Sequence, residues 1–495
     1  MRFVLYSCLF AASLVAASAA GAATYYVRAG GNDSADGRSH ATAWATLSKV
    51  NKQTFATSDI VLLHEGDRFS GTVTVDWNGT SSAPAVLGAY YLDSSGRVTR
   101  GYKASRPVID GGNTRPGGIY DALVTVRANY VRVENIKAMN STGRDIAITD
   151  AESPTVIGCS TDGAWGSGIH VQRSNNPRVE NNVVTHAGKA FESGGNWGGV
   201  IEMDQTKNAV LKKNIVTESY GEGLNSNASK GTIIEENYVW GVRAVGIYVD
   251  ASPDVTVRRN IVVGTTNSKY WRSGSAVGPG IALNNEKYHY DCGCSNPLPS
   301  TQLTQRTRVY GNLVAYTSTG IAIWGEYSKS SFDSTLIFNN TLVDNNTQFS
   351  VQSNPKNGSL FENNILLSLS SGTGDVSGTS LSGMVAKNNY FSRGNPGGDF
   401  VHSGNRFSGL KLAKMSGWRS ISTREQITWR DFDVQSGSPV IRAGSDEPRK
   451  MATTQDTFQL DYNASTHNTP MDMGGLRYLN AVAKRPSPPE NLALN

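Results

Sequence analysis

Residues 244–260, A-V-G-I-Y-V-D-A-S-P-D-V-T-V-R-R-N, hold two short alternating apolar runs joined by a turn. Side chains alternate between the two faces of a strand, so Ile247 and Val249 share one face and Tyr248 and Asp250 the other. The second run ends on a polar pair and an asparagine. That pattern recurs as V-R-V-E-N-I, R-V-E-N-N-V, V-L-K-K-N-I, I-I-E-E-N-Y, V-Y-G-N-L, I-F-N-N-T-L, F-E-N-N-I-L and V-A-K-N-N-Y. Its asparagines are Asn135, Asn182, Asn214, Asn237, Asn260, Asn312, Asn340, Asn364 and Asn389, and Cys159 falls at the same phase. Spacings of 23 to 25 residues are frequent, with longer gaps where a loop is inserted.

Two short strands and tight turns at this period describe one rung of a parallel β-helix. A rung cannot bury its apolar face alone and stacks on its neighbours. Asparagine at one phase forms a ladder along an internal turn and satisfies backbone groups there. The expected fold is all-β, a single-domain solenoid. A β-sandwich would leave the asparagine spacing an accident.

Each rung carries another strand before the asparagine motif, usually opened by glycine: G-I-H-V-Q, V-I-E-M-D, G-L-N-S-N, G-I-Y-V-D, G-I-A-L-N and G-I-A-I-W. Ile169, Ile201, Leu224, Ile247, Ile281 and Ile321 share an inward phase, and so do Val171, Met203, Ser226, Val249, Leu283 and Ile323. The outward residues make two columns. One is His170, Glu202, Asn225, Tyr248, Ala282, Ala322. The other is Gln172, Asp204, Asn227, Asp250, Asn284, Trp324. Rungs stack roughly 4.8 Å apart, so acids, amides, a histidine and an aromatic ring converge on one outward face. Solvated Thr, Ser and Lys would fill such columns if they were only surface.

The chain divides into 1–23, 24–110, 111–394 and 395–495. The first piece has a positive start, an apolar run and a small-residue end, as a secretory signal peptide does. The second is an N-terminal cap with the first rungs. The third is the helix core with its loop insertions. The fourth, richer in charge, holds the last rungs and a C-terminal cap and tail. The chain is expected to be exported, either secreted or periplasmic, and no later stretch reaches the roughly 20 apolar residues of a membrane helix.

Composition agrees. The chain has 495 residues, 52 of them Gly, and 38% hydrophobic residues, too many for disorder. A formal charge of +5 is too weak and dispersed to point to nucleic acid. Cys159 reads as buried filler, and Cys292 and Cys294 as a C-G-C loop open to a local disulfide.

The opening T-Y-Y-V-R-A-G-G-N-D-S-A-D-G-R-S-H-A-T-A-W-A-T-L-S-K-V-N and the later D-F-D-V-Q-S-G-S-P-V-I-R-A-G, with the repeat between them, resemble the right-handed parallel β-helix proteins of the bacterial pectate-lyase-like superfamily. That group includes polysaccharide lyases, glycoside hydrolases, uronan epimerases and non-catalytic adhesins. The resemblance implies a right-handed solenoid with N- and C-terminal caps and a substrate groove over the first-strand face.

Long insertions flank those strands and carry Trp197, Tyr270, Trp271, Tyr288, Tyr290 and Tyr327, suited to the apolar faces of sugar rings. The expected reaction is β-elimination on a uronic-acid polysaccharide bound by a monomer. Glu202, Asp204 and Asp250 are the expected ligands of a Ca²⁺ cofactor, which takes oxygen ligands. Lys230, Arg243 and Tyr248 are the candidate bases, with Asp250 beside them. His170, Asn225, Asn227, Trp197, Trp271, Asn284 and Trp324 are the expected substrate contacts. A glycoside hydrolase with a carboxyl pair on the same face, and a β-helix that only binds polysaccharide, are the alternatives. The N-T-D, H-G and R-I-K motifs of polygalacturonases and the D-P-H-D signature of uronan epimerases are absent.

Overall fold

A computed structural model describes residues 21–192, 198–274, 277–291, 297–378, 380–400, 403–445 and 473–475. Trp197, Cys292, Cys294 and most of the expected signal segment lie outside the described residues. Three sheets of 14, 12 and 11 strands, parallel but for one short antiparallel pairing, run from Thr24 to Phe391. A typical rung visits each once, as Ile247–Asp250, Thr256–Arg258 and Ile261–Val263. The protein is an all-β parallel β-helix.

The inward residues fill one continuous apolar core. Ile169, Ile201, Leu224, Ile247, Ile281 and Ile321 pair in register from rung to rung, all fully buried. The glycines that open these strands have a packing reason. A β-carbon on Gly223, Gly246, Gly280 or Gly320 would come within 2.5 to 2.7 Å of a carbonyl oxygen on the next rung.

The corner between the second and third strands carries the ladder. Asn214, Asn237, Asn260 and Asn312 are buried, and each donates from its amide nitrogen to the next amide oxygen at 3.0 Å. Each also donates to a carbonyl of the preceding rung, as Asn237 does to Leu211 at 2.9 Å. Asn135 does not join it. It stands one position earlier, at the corner where the chain turns through φ 56°, and Ile136 occupies the ladder position beside buried Cys159. Both Asn135 and the ladder asparagines sit in similar local sequence, so the one-residue offset was hidden. A hydroxyl ladder of Thr206, Ser229, Ser252 and Thr304 lines the corner after the first strand.

At the N-terminus, the short helix Leu47–Asn51 turns Leu47 and Val50 onto the first rung. Trp44 lies under it, stacked with Tyr25.

Candidate active site

Both outward columns exist as read. His170, Glu202, Asn225, Tyr248 and Ala282 are successive register partners, and so are Gln172, Asp204, Asn227, Asp250 and Asn284. The expectation of an open face needs correction. His170, Asn225, Tyr248, Asp250 and Asn284 are buried, and Asp250 keeps only 1% of its surface. Segments from the insertions fold over the columns and leave a cleft of about 810 Å³.

The cover over Asp250 is the one-turn helix Lys287–Tyr290. Tyr290 stacks on Tyr327, with centroids 4.2 Å apart, above Ala251 and Leu303. Its hydroxyl donates to the Gln302 carbonyl at 2.8 Å. This small core fixes the turn and with it His289, whose Nε2 lies 2.6 Å from Asp250 Oδ2. The Glu286 backbone N–H donates to Asp250 Oδ1 at 2.8 Å. Burial lowers the His289 imidazole, but its contact with Asp250 and the charges of Asp250, Glu286 and Asp204 together raise it overall.

Beside this pair, the Tyr248 hydroxyl donates to Glu286 Oε1 at 2.7 Å and accepts from Asn284 Nδ2 at 2.8 Å. Burial, then the neighbouring Asp250 charge, pushes Glu286 above the ordinary carboxyl range. Burial and the surrounding carboxylates push the Tyr248 phenol well up.

One rung earlier, Asn225 donates to Glu222 Oε2 at 2.9 Å. Burial, reinforced by the charges of Glu286, Glu202 and Asp250, raises Glu222 far above the usual carboxyl range despite that bond. Glu202, the register partner of Asn225, goes the other way. Burial alone would raise it. The His170 ring at 2.8 Å, Arg144 and the Ser167 hydroxyl at 3.1 Å together hold it below its ordinary value. Gly199 makes room for this arrangement, since a β-carbon there would sit 2.8 Å from Asn225 Nδ2.

The cleft is lined by Glu202, Glu222, Asn225, Asn227, Tyr248, Asp250, Glu286 and His289, with Arg144, Phe191 and the exposed rings of Tyr120 and Tyr288. Several expected residues are elsewhere. Lys230 is exposed at a corner, 3.9 Å from Asp254, and does not line the cleft. Arg243 donates to the Glu192 carbonyl and braces that loop instead. Trp271 donates to the Thr265 carbonyl and packs on the C-terminal apolar cluster. Trp324 packs behind Tyr248. His170 and Asn284 act behind the lining residues, on Glu202 and Tyr248.

The expected Ca²⁺ ligands do not gather about one point. Asp204 accepts from Gln172 at 2.6 Å, Glu202 faces His170, and Asp250 faces His289. Among the described residues, the one group of three or more His, Cys, Asp or Glu with ligand atoms all within 4.8 Å of one another is Asp250, Glu286 and His289. Sequence reasoning missed Glu222, Glu286, His289 and Arg144. Glu222 and Arg144 are the first residues of their strands, where alternation stops deciding orientation. Glu286 and His289 lie in an insertion that has no repeat phase.

A family model for the right-handed beta helix region matches residues 104–232 and 190–296. No curated protein matches the chain in sequence. Among solved structures, a rhamnogalacturonan lyase is similar with a TM-score of 0.52 at 15% identity, over 77% of this chain and 90% of that one. A lacto-N-biosidase from Eubacterium ramulus gives 0.49 at 15% identity, over 74% and 67%. A pectate lyase gives 0.48 at 14% identity, over 92% and 96%. With the sheet topology, the first match and the family model give this chain the fold of a right-handed parallel β-helix.

Proposed function

We propose that this chain is a carbohydrate-active enzyme that hydrolyses a glycosidic bond in the cleft, with Glu222 as general acid and Glu202 as the ionised partner. One observation carries the reading. Two carboxyls on either side of Asn225 line one cavity, and their surroundings push their proton affinities in opposite directions. Such a split assigns the acid and the base. Glu222, held toward its protonated form by burial and the neighbouring carboxylates, can give its proton to the glycosidic oxygen. Glu202, kept charged by His170 and Arg144, stabilises the oxocarbenium-like transition state and serves as base or nucleophile.

The walls suit a sugar chain. Tyr120 and Tyr288 offer exposed ring faces for stacking. A cleft of about 810 Å³ holds a short run of sugar rings. The shared fold with a rhamnogalacturonan lyase supports a polysaccharide substrate.

β-Elimination is the second reading. The Tyr248 hydroxyl, donating to Glu286, favours it as a proton relay. Against it, both expected cationic bases, Lys230 and Arg243, lie outside the cleft lining, and the walls are rich in carboxyls.

The test is to incubate purified protein with neutral and uronic-acid polysaccharides and follow reducing ends together with unsaturated-uronate absorbance. New ends without absorbance support hydrolysis. Ends with absorbance overturn it in favour of elimination. Binding without new ends overturns both in favour of a binding module.

A further inference from the structure

Asp250, Glu286 and His289 play no necessary part in the proton-transfer pair just described. Their ligand atoms nevertheless all fall within 4.8 Å of one another, on one wall of the cleft. Two carboxyls and one imidazole converge there, with Asp250 buried and Glu286 and His289 partly so.

A second observation comes from Asn284, the register partner of Asp250 on the next rung. A phenol has one proton, and Tyr248 gives its own to Glu286. Its oxygen must therefore accept from Asn284, which fixes the amide with its nitrogen toward Tyr248. The Asn284 oxygen is the amide atom not used by that hydroxyl, on the residue next to Asp250 in register. It is fully buried and has no hydrogen-bond partner among the described residues. Buried acceptors are ordinarily satisfied, so this oxygen is free to take a partner at the ligand group.

We propose that Asp250, Glu286 and His289 bind one divalent transition-metal ion, Zn²⁺ or Mn²⁺, with the Asn284 amide oxygen available to complete the site. The donor set decides the class. Ca²⁺ takes six to eight oxygens, whereas a small site of one imidazole and two carboxylates suits zinc-like ions. The backbone supports the ligands as metal sites require: the Glu286 N–H holds Asp250, and the Tyr290–Tyr327 stack holds the turn that carries His289.

The test uses the whole, tag-free protein, stripped with a chelator and titrated separately with Zn²⁺, Mn²⁺ and Ca²⁺. Metal per chain is read by elemental analysis and thermal stability by fluorimetry. The expected result is one equivalent of Zn²⁺ or Mn²⁺ with a rise in Tm. His289→Gln and Asp250→Asn should each weaken binding by at least about tenfold. Circular dichroism of each variant establishes that the β-helix is intact. Less than stoichiometric metal in the folded wild type overturns the site. So does wild-type binding by folded His289→Gln, or a preference for Ca²⁺ that this variant keeps. Glu222→Gln should bind metal as wild type while losing cleavage, so failure of the metal site and failure of the proposed reaction are read separately.

Discussion

Asn225 and Glu222, three residues apart on one strand, are joined by a 2.9 Å hydrogen bond from amide to carboxyl at the cleft wall. The bond holds the Glu222 side chain in place without supplying the countercharge that would ionise it. Glu222→Gln preserves that shape and removes the acidic proton. It should lower kcat by about 10²–10⁴-fold with little change in KM. Steady-state kinetics on the substrate found in the polysaccharide screen would check this.

Rate should follow a bell-shaped pH profile. The alkaline limb is the loss of the Glu222 proton and the acid limb the protonation of Glu202. Removing the His170 ring removes the largest influence holding Glu202 down. In His170→Phe the acid limb should therefore move to higher pH while the alkaline limb stays. A profile shifted on both sides, or on neither, would separate His170 from Glu202.

The same carboxyl predicts a stability slope. Glu222 binds its proton more tightly in the folded chain than in the unfolded one. Its favourable contribution is complete below the unfolded pKa near 4.5 and is lost as pH rises through the higher folded value. Glu222→Gln should lose less stability than wild type between pH 4.5 and neutrality, measured by urea unfolding at a series of pH values.

Gly199→Ala tests the positioning of the site rather than its chemistry. The added β-carbon would meet Asn225 Nδ2 at 2.8 Å and Glu202 Cβ at 2.7 Å. Overpacking of this kind costs about 1–3 kcal/mol. The expected outcome is a modest fall in Tm with a disproportionate fall in kcat, because the displaced amide is the one that holds Glu222.

In the ladder, Asn237→Leu removes the acceptor of the buried Asn214 backbone N–H and a donor to the Leu211 carbonyl, and unpairs the Asn214 and Asn260 amides. It should destabilise the chain by about 1–3 kcal/mol for each group left unpaired, read by chemical denaturation. Asn135→Gly, which keeps the left-handed φ of 56° and lies outside the ladder, should cost far less.

The solenoid was legible because two periods coincide, the alternation within a strand and the 23-residue return between rungs. Together they placed Tyr248 above Asn225 and Asp250 above Asn227 correctly. The asparagine ladder was read with one error, at Asn135, where neighbouring positions carry similar residues. What escaped has no period. His289 reaches Asp250 because Tyr290 happens to stack on Tyr327, a contact between two insertions. The exposed aromatics expected to hold sugar also divided by packing. Tyr288 remains open to the cleft, whereas Trp271 packs on the C-terminal apolar cluster and Trp324 on the small core around Tyr248.

The step from Asn260 to Asn312 spans 52 residues and that from Asn237 to Asn260 spans 23, yet both close with the same 3.0 Å amide bond. The hydroxyl ladder bridges the same interval, from Ser252 to Thr304. The frame thus registers nothing of the excursion that delivers Glu286 and His289. Reagents can be exchanged at that doorway without renegotiating the wall. A chimera carrying a foreign segment in place of residues 286–303 should keep its register, with a Tm lowered by the lost Tyr290–Tyr327 and Leu303 packing, while acquiring another donor's chemistry.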